Sequence, residues 1–381
     1  MSISRVGAIV LGGHVQGYGI VRLLGEKRIE SVIIDTSKIN IARHSKYCRC
    51  HYVSSYDGLI NLLLDLGNRY KNWIVIPTDD YYVRLLSKNY DVLSDDYHLL
   101  SDSWDVIDLF FDKCKTYPWV QKLGIPTPLT FYARDVNEIE QISTKMHFPC
   151  IIKPAIMKDF YARFGSKVIV CKSQSELIRK FNQVTASIKP SEIMIQEIVS
   201  GNSENQYSVG VFCIKGRIHN SIIARRKRQH PPDFGNATTY AETADVPILL
   251  EYSKTILQNC EYSGVCEVEF KYDSISQEYK FLEVNPRFWK WHLLAKPAGV
   301  PFVYSVYNYL TAGEPISSGL FHQCAWRDIV TDLPTKLTMI RKRIYVKSDK
   351  LNTISAVANC KDIMPFFMQV IYTPYMLYAR R

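Results

Sequence analysis

The chain has 381 residues, with 47 lysines and arginines against 37 aspartates and glutamates, for a formal net charge of +10. This length exceeds one ordinary core and suits two or three packed domains, while 47% hydrophobic residues exclude wholesale disorder. The positive charge favours an anionic partner, such as a nucleotide, a phosphorylated metabolite, nucleic acid or an acidic membrane surface, without choosing among them.

Ten cysteines are present, but they form no CxxC pair and no evenly spaced framework. The tightest group, Cys48, Cys50 and His51, lacks the second ligand pair that a zinc site normally needs. Glycines and His14 interrupt the first apolar run early, unlike a signal peptide, and no stretch approaches the ~20 apolar residues that span a bilayer. We therefore predict a cytoplasmic protein with reduced thiols.

The first hundred residues alternate strand-like and helix-like segments. Residues 5–11, 31–35 and 72–80 are predicted strands, and residues 56–70 have a helical pattern. Short β-rich runs separated by helices are typical of parallel βαβ units. We therefore predict a Rossmann-like α/β domain at residues 1–100.

The turn after the first strand, residues 12–19, contains four glycines but not the GxGxxG order of a dinucleotide site. Asp35 lies at the distance from this turn where such sites place an acidic residue. Because the glycine order is wrong, we favour a plain glycine-rich βα turn at the carboxyl edge of the sheet.

A different pattern begins near Ser101, which can cap the helix that follows it. Apolar strands are predicted at residues 148–155 and 194–201, and hairpins at residues 206–228 and 264–289. Runs of adjacent strands after a βαβ opening indicate an α+β domain appended to an α/β domain.

Polar and apolar side chains alternate in the last predicted strand, FLEVNPRFW. The period of two puts Glu283, Asn285 and Arg287 on one face. The preceding strand is predicted to pair with this one through a turn within residues 273–277, which sets Glu269 opposite Glu283.

Facing carboxylates repel each other unless positive charge lies between them. Two carboxylates and an amide oxygen are ligands that Mg²⁺ prefers, together with substrate phosphates. An arginine two residues further on is a rigid fork that suits phosphate or carboxylate. From spacing alone, the alternative is a solvated hairpin face with cross-strand Glu–Arg pairs.

Lys153 lies in the apolar strand CIIKPA, where its charge is costly to bury unless an anion or a carboxylate meets it. A lysine that snorkels from an edge strand is the alternative. Residues 160–168 form a candidate hairpin loop around Gly165 that could fold over phosphates. Residues 225–235 place four successive cations before a rigid Pro-Pro turn.

The order of these motifs resembles the ATP-grasp superfamily of ATP-dependent carboxylate–amine ligases. The matching segments are, in chain order, FFDKCKTY, GIPTP, FPCIIKPA, MIQEIVSG, CEVEF and FLEVNPRFW. The segment RKRQHPPDFGNATTYAET resembles the subgroup that contains D-aspartate ligase-like enzymes. The first hundred residues, including ARHSKYCRCHYV, resemble the α/β domain that precedes the ATP-grasp domain in such enzymes.

The resemblance implies an α/β plus α+β protein with three parts. These are a Rossmann-like parallel-sheet domain (residues 1–100), a two-lobed ATP-grasp domain (residues 101–320) and a carboxy-terminal extension (residues 321–381). Within the ATP-grasp domain, the lobe that carries the lid covers residues 128–198, and the metal-binding lobe covers residues 199–320.

The resemblance also implies roles for twelve residues. Those that match the ATP-binding positions are Lys113, Lys153, Gln196, Glu197, Ile198 and Glu204. Those that match the metal ligands are Glu269, Glu283 and Asn285. Those that match catalytic or acceptor-binding arginines are Arg287, Arg226 and Arg228. In the first set, the two lysines are expected to contact the phosphates of ATP. Residues 196–198 are expected to contact adenine, and Glu204 the ribose hydroxyls.

The implied cofactors are ATP and Mg²⁺, with Mn²⁺ as an alternative metal. ATP would phosphorylate a small carboxylic acid or amino acid to an acylphosphate, and an amine acceptor would displace phosphate to form an amide. The alternatives within the superfamily are a kinase, which uses a hydroxyl, and a carboxylase-type enzyme, which uses bicarbonate. A non-catalytic nucleotide-binding protein is the third alternative.

The extension from residue 321 onward ends in an aromatic, apolar segment at residues 363–381. We expect this segment to pack on the core, with contact to a membrane surface as the alternative. Nucleic-acid binding is disfavoured because no recognition motif is present, and the oligomeric state stays open.

Overall fold

The structure is a computed structural model that describes residues 6–100, 102–155, 160, 163–166, 168–232, 237–344 and 351–379. The chain folds into two compact units. The first contains residues 1–104, 203–268 and 285–381, and the second contains residues 105–202 and 269–284. The first unit therefore includes residues from each of the three predicted parts.

The amino-terminal part of the first unit alternates strands and helices. Its elements are β1 (Ala8–Leu11), α1 (Val15–Glu26), β2 (Ser31–Asp35), β3 (Cys48–Val53), α2 (Leu59–Leu66), β4 (Trp73–Pro77), α3 (Asp80–Lys88), α4 (Tyr90–Ser94) and β5 (Tyr97–Leu99). The strands form a parallel sheet in the order β3-β2-β1-β4-β5. Every residue of β1, β2 and β4 is buried, as in parallel sheets with both faces covered. The predicted Rossmann-like sheet is confirmed.

The glycine-rich turn after β1 is held by Asp35. One carboxylate oxygen accepts a hydrogen bond from Gly13 N at 2.6 Å, and the other accepts one from Ser37 N at 2.9 Å. Gly17 has no room for a side chain, because a Cβ there would lie 1.9 Å from the carbonyl oxygen of Gly12. Asp35 thus stabilises the turn itself, in line with the plain βα turn that we favoured.

The second unit is built around a small antiparallel sheet. Its elements are α5 (Trp104–Phe111, which begins one residue before the unit), α6 (Lys113–Lys122), β6 (Thr130–Phe131), α7 (Val136–Lys145), β7 (Cys150–Pro154), β8 (Ile169–Cys171), α8 (Gln174–Thr185) and β9 (Ile193–Glu197). The strand order is β6-β9-β7-β8, and all pairs are antiparallel. A core of buried apolar side chains, among them Ile152, Phe181 and Ile195, joins this sheet to α7 and α8.

The remaining elements complete the chain. They are β10 (Gln206–Ile214), β11 (Arg217–His230), β12 (Ala237–Thr243), α9 (Pro247–Asn259), β13 (Gly264–Asp273), β14 (Glu278–Asn285), α10 (Phe302–Ala312), β15 (Ala325–Arg327), α11 (Ile329–Arg341), β16 (Thr353–Ser355) and α12 (Met364–Ala379). The sheet order is β14-β13-β10-β11-β12-β15-β16. The hairpin of β10 and β11 turns at Lys215 and Gly216, which have φ of +47° and +72°, and the last hairpin turns at residues 274–277. Both predicted hairpins are therefore present.

The carboxy-terminal helix α12 packs on the first unit through one side. Phe366 and Tyr372 lie against the main apolar core, and Gln369 Nε2 donates a hydrogen bond to Asp328 at 2.9 Å. This side behaves as expected for a segment that packs on the core. Among the described residues, no helix combines the length and the apolar character that crossing a bilayer requires.

Candidate active site

Lys113 and Glu283 form an ion pair in the second unit. Lys113 is the first residue of α6, and the capping carboxylate of Asp112 accepts a hydrogen bond from Cys114 N at 2.9 Å. Lys113 Nζ donates to Glu283 Oε2 at 2.5 Å. Burial alone would lower the pKa of Lys113, but the charges of Glu283 and Glu269 raise it above its usual range. The ammonium therefore supplies positive charge to both of these carboxylates.

Lys153 lies beside Tyr117 in the same unit. Its Nζ donates to Tyr117 Oη at 3.1 Å and lies 4.9 Å from the centroid of that ring. Strand β7 is flanked by β9 and β8, so Lys153 does not snorkel from an edge strand. Burial lowers the pKa of Lys153, and so does the charge of Lys113. Among the described residues, no carboxylate oxygen lies within 4.0 Å of Lys153 Nζ.

The predicted adenine linker begins within strand β9, whose last two residues are Gln196 and Glu197. Gln196 Nε2 donates to Thr130 Oγ1 at 2.7 Å, and the Glu197 carboxylate accepts from Leu129 N at 2.9 Å. Lys280, which the sequence did not single out, also contacts Glu197 at 2.5 Å. The side chains of Gln196 and Glu197 are thus hydrogen-bonded to neighbours within the unit, and Ile198 directly follows the strand.

Lys280 joins two carboxylates of the second unit. Besides Glu197, its Nζ contacts Asp273 Oδ2 at 2.8 Å. Burial lowers the pKa of Lys280, but hydrogen bonds to Asp273 and Glu197 outweigh that effect and raise it. The signal in the sequence was a lysine within β14, three residues before Glu283 and therefore on the opposite face of the strand.

Arg287 is paired in the first unit with Asp80, which was not among the predicted site residues. Its Nε donates to Asp80 Oδ1 at 2.6 Å, and its Nη2 donates to Asn285 Oδ1 at 3.2 Å. Asp80 begins α3, where Asp79 is the capping residue and accepts from Tyr82 N at 2.9 Å. Burial raises the pKa of Asp79 to about 6. The signal was the pair of aspartates that follows strand β4.

Glu204 faces cations of the first unit. It lies in a short 3-10 helix, Ser203–Asn205, and its carboxylate is 3.7 Å from Arg225 and 3.9 Å from Lys227. Arg225 Nε also donates to the backbone oxygen of Glu204 at 2.6 Å. Arg226, next along β11, donates from Nη1 to Gln206 Oε1 at 3.3 Å.

Arg228 forms a two-pronged ion pair with Asp332. Its Nε and Nη2 donate to the two carboxylate oxygens at 2.7 and 2.9 Å, and the two side chains are only 3% and 1% exposed. The guanidinium lies 4.2 Å from the ring centroid of Tyr240, and Thr239 Oγ1 donates to the same carboxylate at 2.9 Å. The structure therefore gives Arg228 a stabilising role within the protein.

The predicted lid falls partly outside the described residues, which lack 156–159, 161, 162 and 167. In the described part, Phe160, Arg163 and Phe164 are helical, so the prediction of a hairpin loop is wrong there. Phe160 and Phe164 are four residues apart, and their ring centroids are 4.8 Å apart beside the core of the unit. Helical spacing allows both rings to pack on the same side. Ser101 and residues 233–236 of the Pro-Pro loop also lie outside the described residues.

A family comparison decides what these motifs belong to. Residues 112–318, more than half of the chain, match the family described as carbamoyl-phosphate synthase L chain, ATP binding domain. The chain belongs to this family. The match begins at the cap of α6 and includes all twelve candidate residues of this ATP-grasp protein.

Curated and solved relatives agree with this assignment. A D-aspartate ligase of Enterococcus faecium is 22% identical over 303 residues, which cover 73% of this chain and 70% of that protein. The N5-carboxyaminoimidazole synthetase of Staphylococcus aureus has a TM-score of 0.67 at 14% identity, covering 98% of this chain and 97% of that chain; it has also been solved with ADP. The L-amino acid ligase of Bacillus licheniformis has a TM-score of 0.62 at 13% identity, covering 82% and 75%.

The two solved structures are similar in fold. The predicted ATP-grasp membership, the mixed fold class and the assignment to ATP-dependent ligases are confirmed. ATP binding follows from the family itself.

Proposed function

We propose that this ATP-grasp protein joins a small carboxylic acid, most simply an amino acid, to an amine through an acylphosphate. Lys153 is the observation that carries the proposal. It is a partly buried cation with a lowered pKa, next to a second lysine and without a carboxylate partner among the described residues. A cation in this setting is stabilised by an anionic ligand, and the phosphates of ATP are the anion that the family binds.

Lys113 and Lys153 would hold the phosphates together. Lys113 keeps a partner in Glu283, so its charge is present and oriented before ATP arrives. Because the side chains of Gln196 and Glu197 are bonded to Thr130, Leu129 and Lys280, adenine recognition at this strand would use backbone groups and Ile198.

Glu269, Glu283 and Asn285 are the proposed Mg²⁺ ligands, with Mn²⁺ as an alternative. The donor set fits, since two carboxylates and an amide oxygen are hard ligands and Glu283 and Asn285 lie two residues apart on β14. Because Mg²⁺ is usually bound by one or two carboxylates together with substrate phosphates, phosphate oxygens of ATP would complete the shell. The metal would supply charge neutralisation at the transferring phosphate.

Two displacements account for the reaction. A carboxylate oxygen of the first substrate attacks the γ-phosphorus of ATP, the bond to the β-phosphate oxygen breaks, and ADP leaves. The amine then attacks the acyl carbon, the carbon–oxygen bond to phosphate breaks, and loss of a proton leaves the amide. Fixed cations stabilise the charge that develops on the phosphoryl oxygens. Arg287, held by Asp80, is the residue to which the family resemblance gives this role for the intermediate.

Amino acids are the substrates to test first. The curated relative is a D-aspartate ligase, and one similar solved structure is an L-amino acid ligase. Because ATP is the co-substrate, we place the reaction in the cytoplasm. A carboxylase-type or kinase reaction would instead require bicarbonate or a hydroxyl acceptor, and the product mass would distinguish them.

The test combines ATP binding with product formation. Mg²⁺-ATP should raise the melting temperature, and Lys153→Met should lower kcat/KM for ATP about a hundredfold by removing the phosphate-facing cation. Lys180→Met is the matched control, because Lys180 lies in the same unit but is paired with Glu176 at 3.0 Å. ADP should form only when a carboxylate and an amine are both supplied.

Two outcomes would contradict the proposal. One is ADP formation that requires bicarbonate and no amine. The other is equal loss of activity in Lys153→Met and Lys180→Met, which would remove the reason for assigning Lys153 to phosphate.

A further inference from the structure

The last two helices expose an unusual amount of apolar surface. Twenty large apolar side chains are exposed among the described residues, and nine of them lie between residues 333 and 375. These are Leu333, Leu337, Ile340, Ile363, Met364, Phe367, Val370, Ile371 and Tyr375. We call this set the carboxy-terminal apolar face. Such a concentration marks an interaction surface rather than scattered exposure.

Helix α11 has its polar side inside and its apolar side outside. Asp332 and Thr335 are buried, and Asp332 holds the Arg228 ion pair. Leu333, Leu337 and Ile340 are 57%, 59% and 63% exposed, and their spacing of four and three residues places them in one stripe. A helix that faces water normally turns its apolar side to the core and its polar side to the solvent. The outer stripe of α11 is therefore better suited to an apolar environment than to water.

Helix α12 is apolar on two sides. Its inner side carries Phe366 and Tyr372 against the core, while Phe367, Val370 and Ile371 on the outer side are about half exposed or more. Helices that are apolar all round are normally covered on all sides. The two helices pack against each other within the first unit, so their exposed residues belong to one region of the protein.

The segment that carries this face is strongly cationic. Residues 329–381 contain nine lysines and arginines, three aspartates and no glutamate, for a net charge of +6 out of +10 for the chain. Asp332 and Asp362, the described aspartates, are 1% and 4% exposed. In the described residues of this segment, the exposed charges are thus cations, including the run 341–343 at the end of α11.

We propose that the carboxy-terminal apolar face binds the surface of an anionic lipid bilayer. The apolar side chains would enter the boundary between headgroups and acyl chains, and residues 341–343 would meet lipid phosphates. Helix α12 has 16 residues, fewer than the ~20 that span a bilayer, so the helices lie on the surface. A second copy is a poorer occupant, because a symmetric contact would bring the two cationic rims together.

The experiment is flotation of the full chain with phosphatidylcholine vesicles, with and without phosphatidylglycerol. The protein should float only with the anionic vesicles, and added salt should weaken binding. Phe367→Ser with Ile371→Ser should reduce binding at least about tenfold. Arg341→Gln, Lys342→Gln and Arg343→Gln together should reduce it about a hundredfold and abolish most of the salt dependence.

Ile275→Ser with Leu320→Ser is the matched control, because these apolar side chains are 84% and 79% exposed outside the face. Control and test variants should keep the circular dichroism spectrum and melting temperature of the parent. The proposal fails if the parent does not float, if it floats equally with neutral vesicles, or if the control variant loses binding as much as the Phe367 and Ile371 variant. It also fails if sedimentation velocity shows a dimer that only the Phe367 and Ile371 variant dissociates, since the occupant would then be a second copy.

Discussion

Each unit contains a cation–carboxylate pair, and the two pairs differ in how completely they are enclosed. In the first unit, Arg228 and Asp332 are 3% and 1% exposed and share two hydrogen bonds. In the second unit, Lys113 and Glu283 are 19% and 34% exposed and share one. Burial and hydrogen-bond geometry thus distinguish the two ion pairs.

The difference indicates what each pair is for. The Asp332 carboxylate has a second donor in Thr239, so the Arg228 pair is complete within the protein. The Glu283 pair stands next to Lys153, a cation without a carboxylate partner among the described residues. A solvent-accessible cluster of charges in which one cation has no carboxylate partner is suited to bind an anionic ligand. A buried pair in which every charge has a partner stabilises the fold instead.

Glu283→Gln should have the largest effect, on catalysis. The amide keeps the shape but removes a proposed metal ligand, so kcat should fall about a thousandfold or more. The free energy of unfolding should change by about 1 kcal/mol or less, because the ion pair is partly exposed. Steady-state kinetics and urea titration measure the two quantities. An inactive variant that bound Mg²⁺-ATP with unaltered Mg²⁺ dependence would contradict the metal assignment.

Asp332→Asn should have its main effect on stability rather than on catalysis. It leaves the enclosed Arg228 without a counter-charge, which costs about 3–5 kcal/mol of stability. Urea unfolding of the variant and the parent gives the value. Asp108→Asn is the control, because Asp108 pairs with the exposed Lys115 and should cost well under about 1 kcal/mol. Similar losses in both variants would show that burial does not distinguish the pairs.

Asp79 gives the smallest effect, a dependence of stability on pH. Its pKa in the folded protein is about 6, above the ordinary value of 3.8, so the folded state holds the proton more tightly. The free energy of unfolding therefore contains a contribution that is lost as pH rises from about 4 to about 6. Asp79→Asn keeps a cap for Tyr82 N without the charge. Because a shift of one pKa unit corresponds to about 1.4 kcal/mol, the variant should be up to about 3 kcal/mol more stable than the parent above pH 6.

Urea titrations at several pH values test this expectation. At about pH 3, below the ordinary pKa of 3.8, the parent and the Asp79→Asn variant should be nearly equal, because the carboxyl is then mostly protonated in both the folded and the unfolded state. A constant difference at all pH values would show that the charge of Asp79 is not the cause.

Local patterns were sufficient to predict the strands of the site. Alternation around Glu283 predicted β14, and the turn signal at residues 273–277 predicted the hairpin that the structure has at 274–277. Family motifs supplied Lys113 and Lys153, and spacing alone could not connect Lys113 to Glu283 across 170 residues. Period and motif order therefore predicted the elements and the candidate residues.

Partners distant in the chain could not be predicted in this way. Arg228 and Asp332 are 104 residues apart, and Glu197 and Lys280 are 83 residues apart. Hydrophobic periodicity would also predict that the apolar side of α11, which begins with Leu333, faces the core. In the structure the buried side of α11 instead carries Asp332, the partner of Arg228. Such choices depend on the tertiary surroundings of each element, which periodicity does not contain.

The chain passes between the two units four times, after residues 104, 202, 268 and 284. No single stretch of the gene therefore encodes either unit. Exchange of one whole unit between relatives would need four correctly placed joins, two of them inside the continuous strands β13 and β14 or at their ends. A whole unit is thus harder to transfer by recombination than a single residue within it is to substitute.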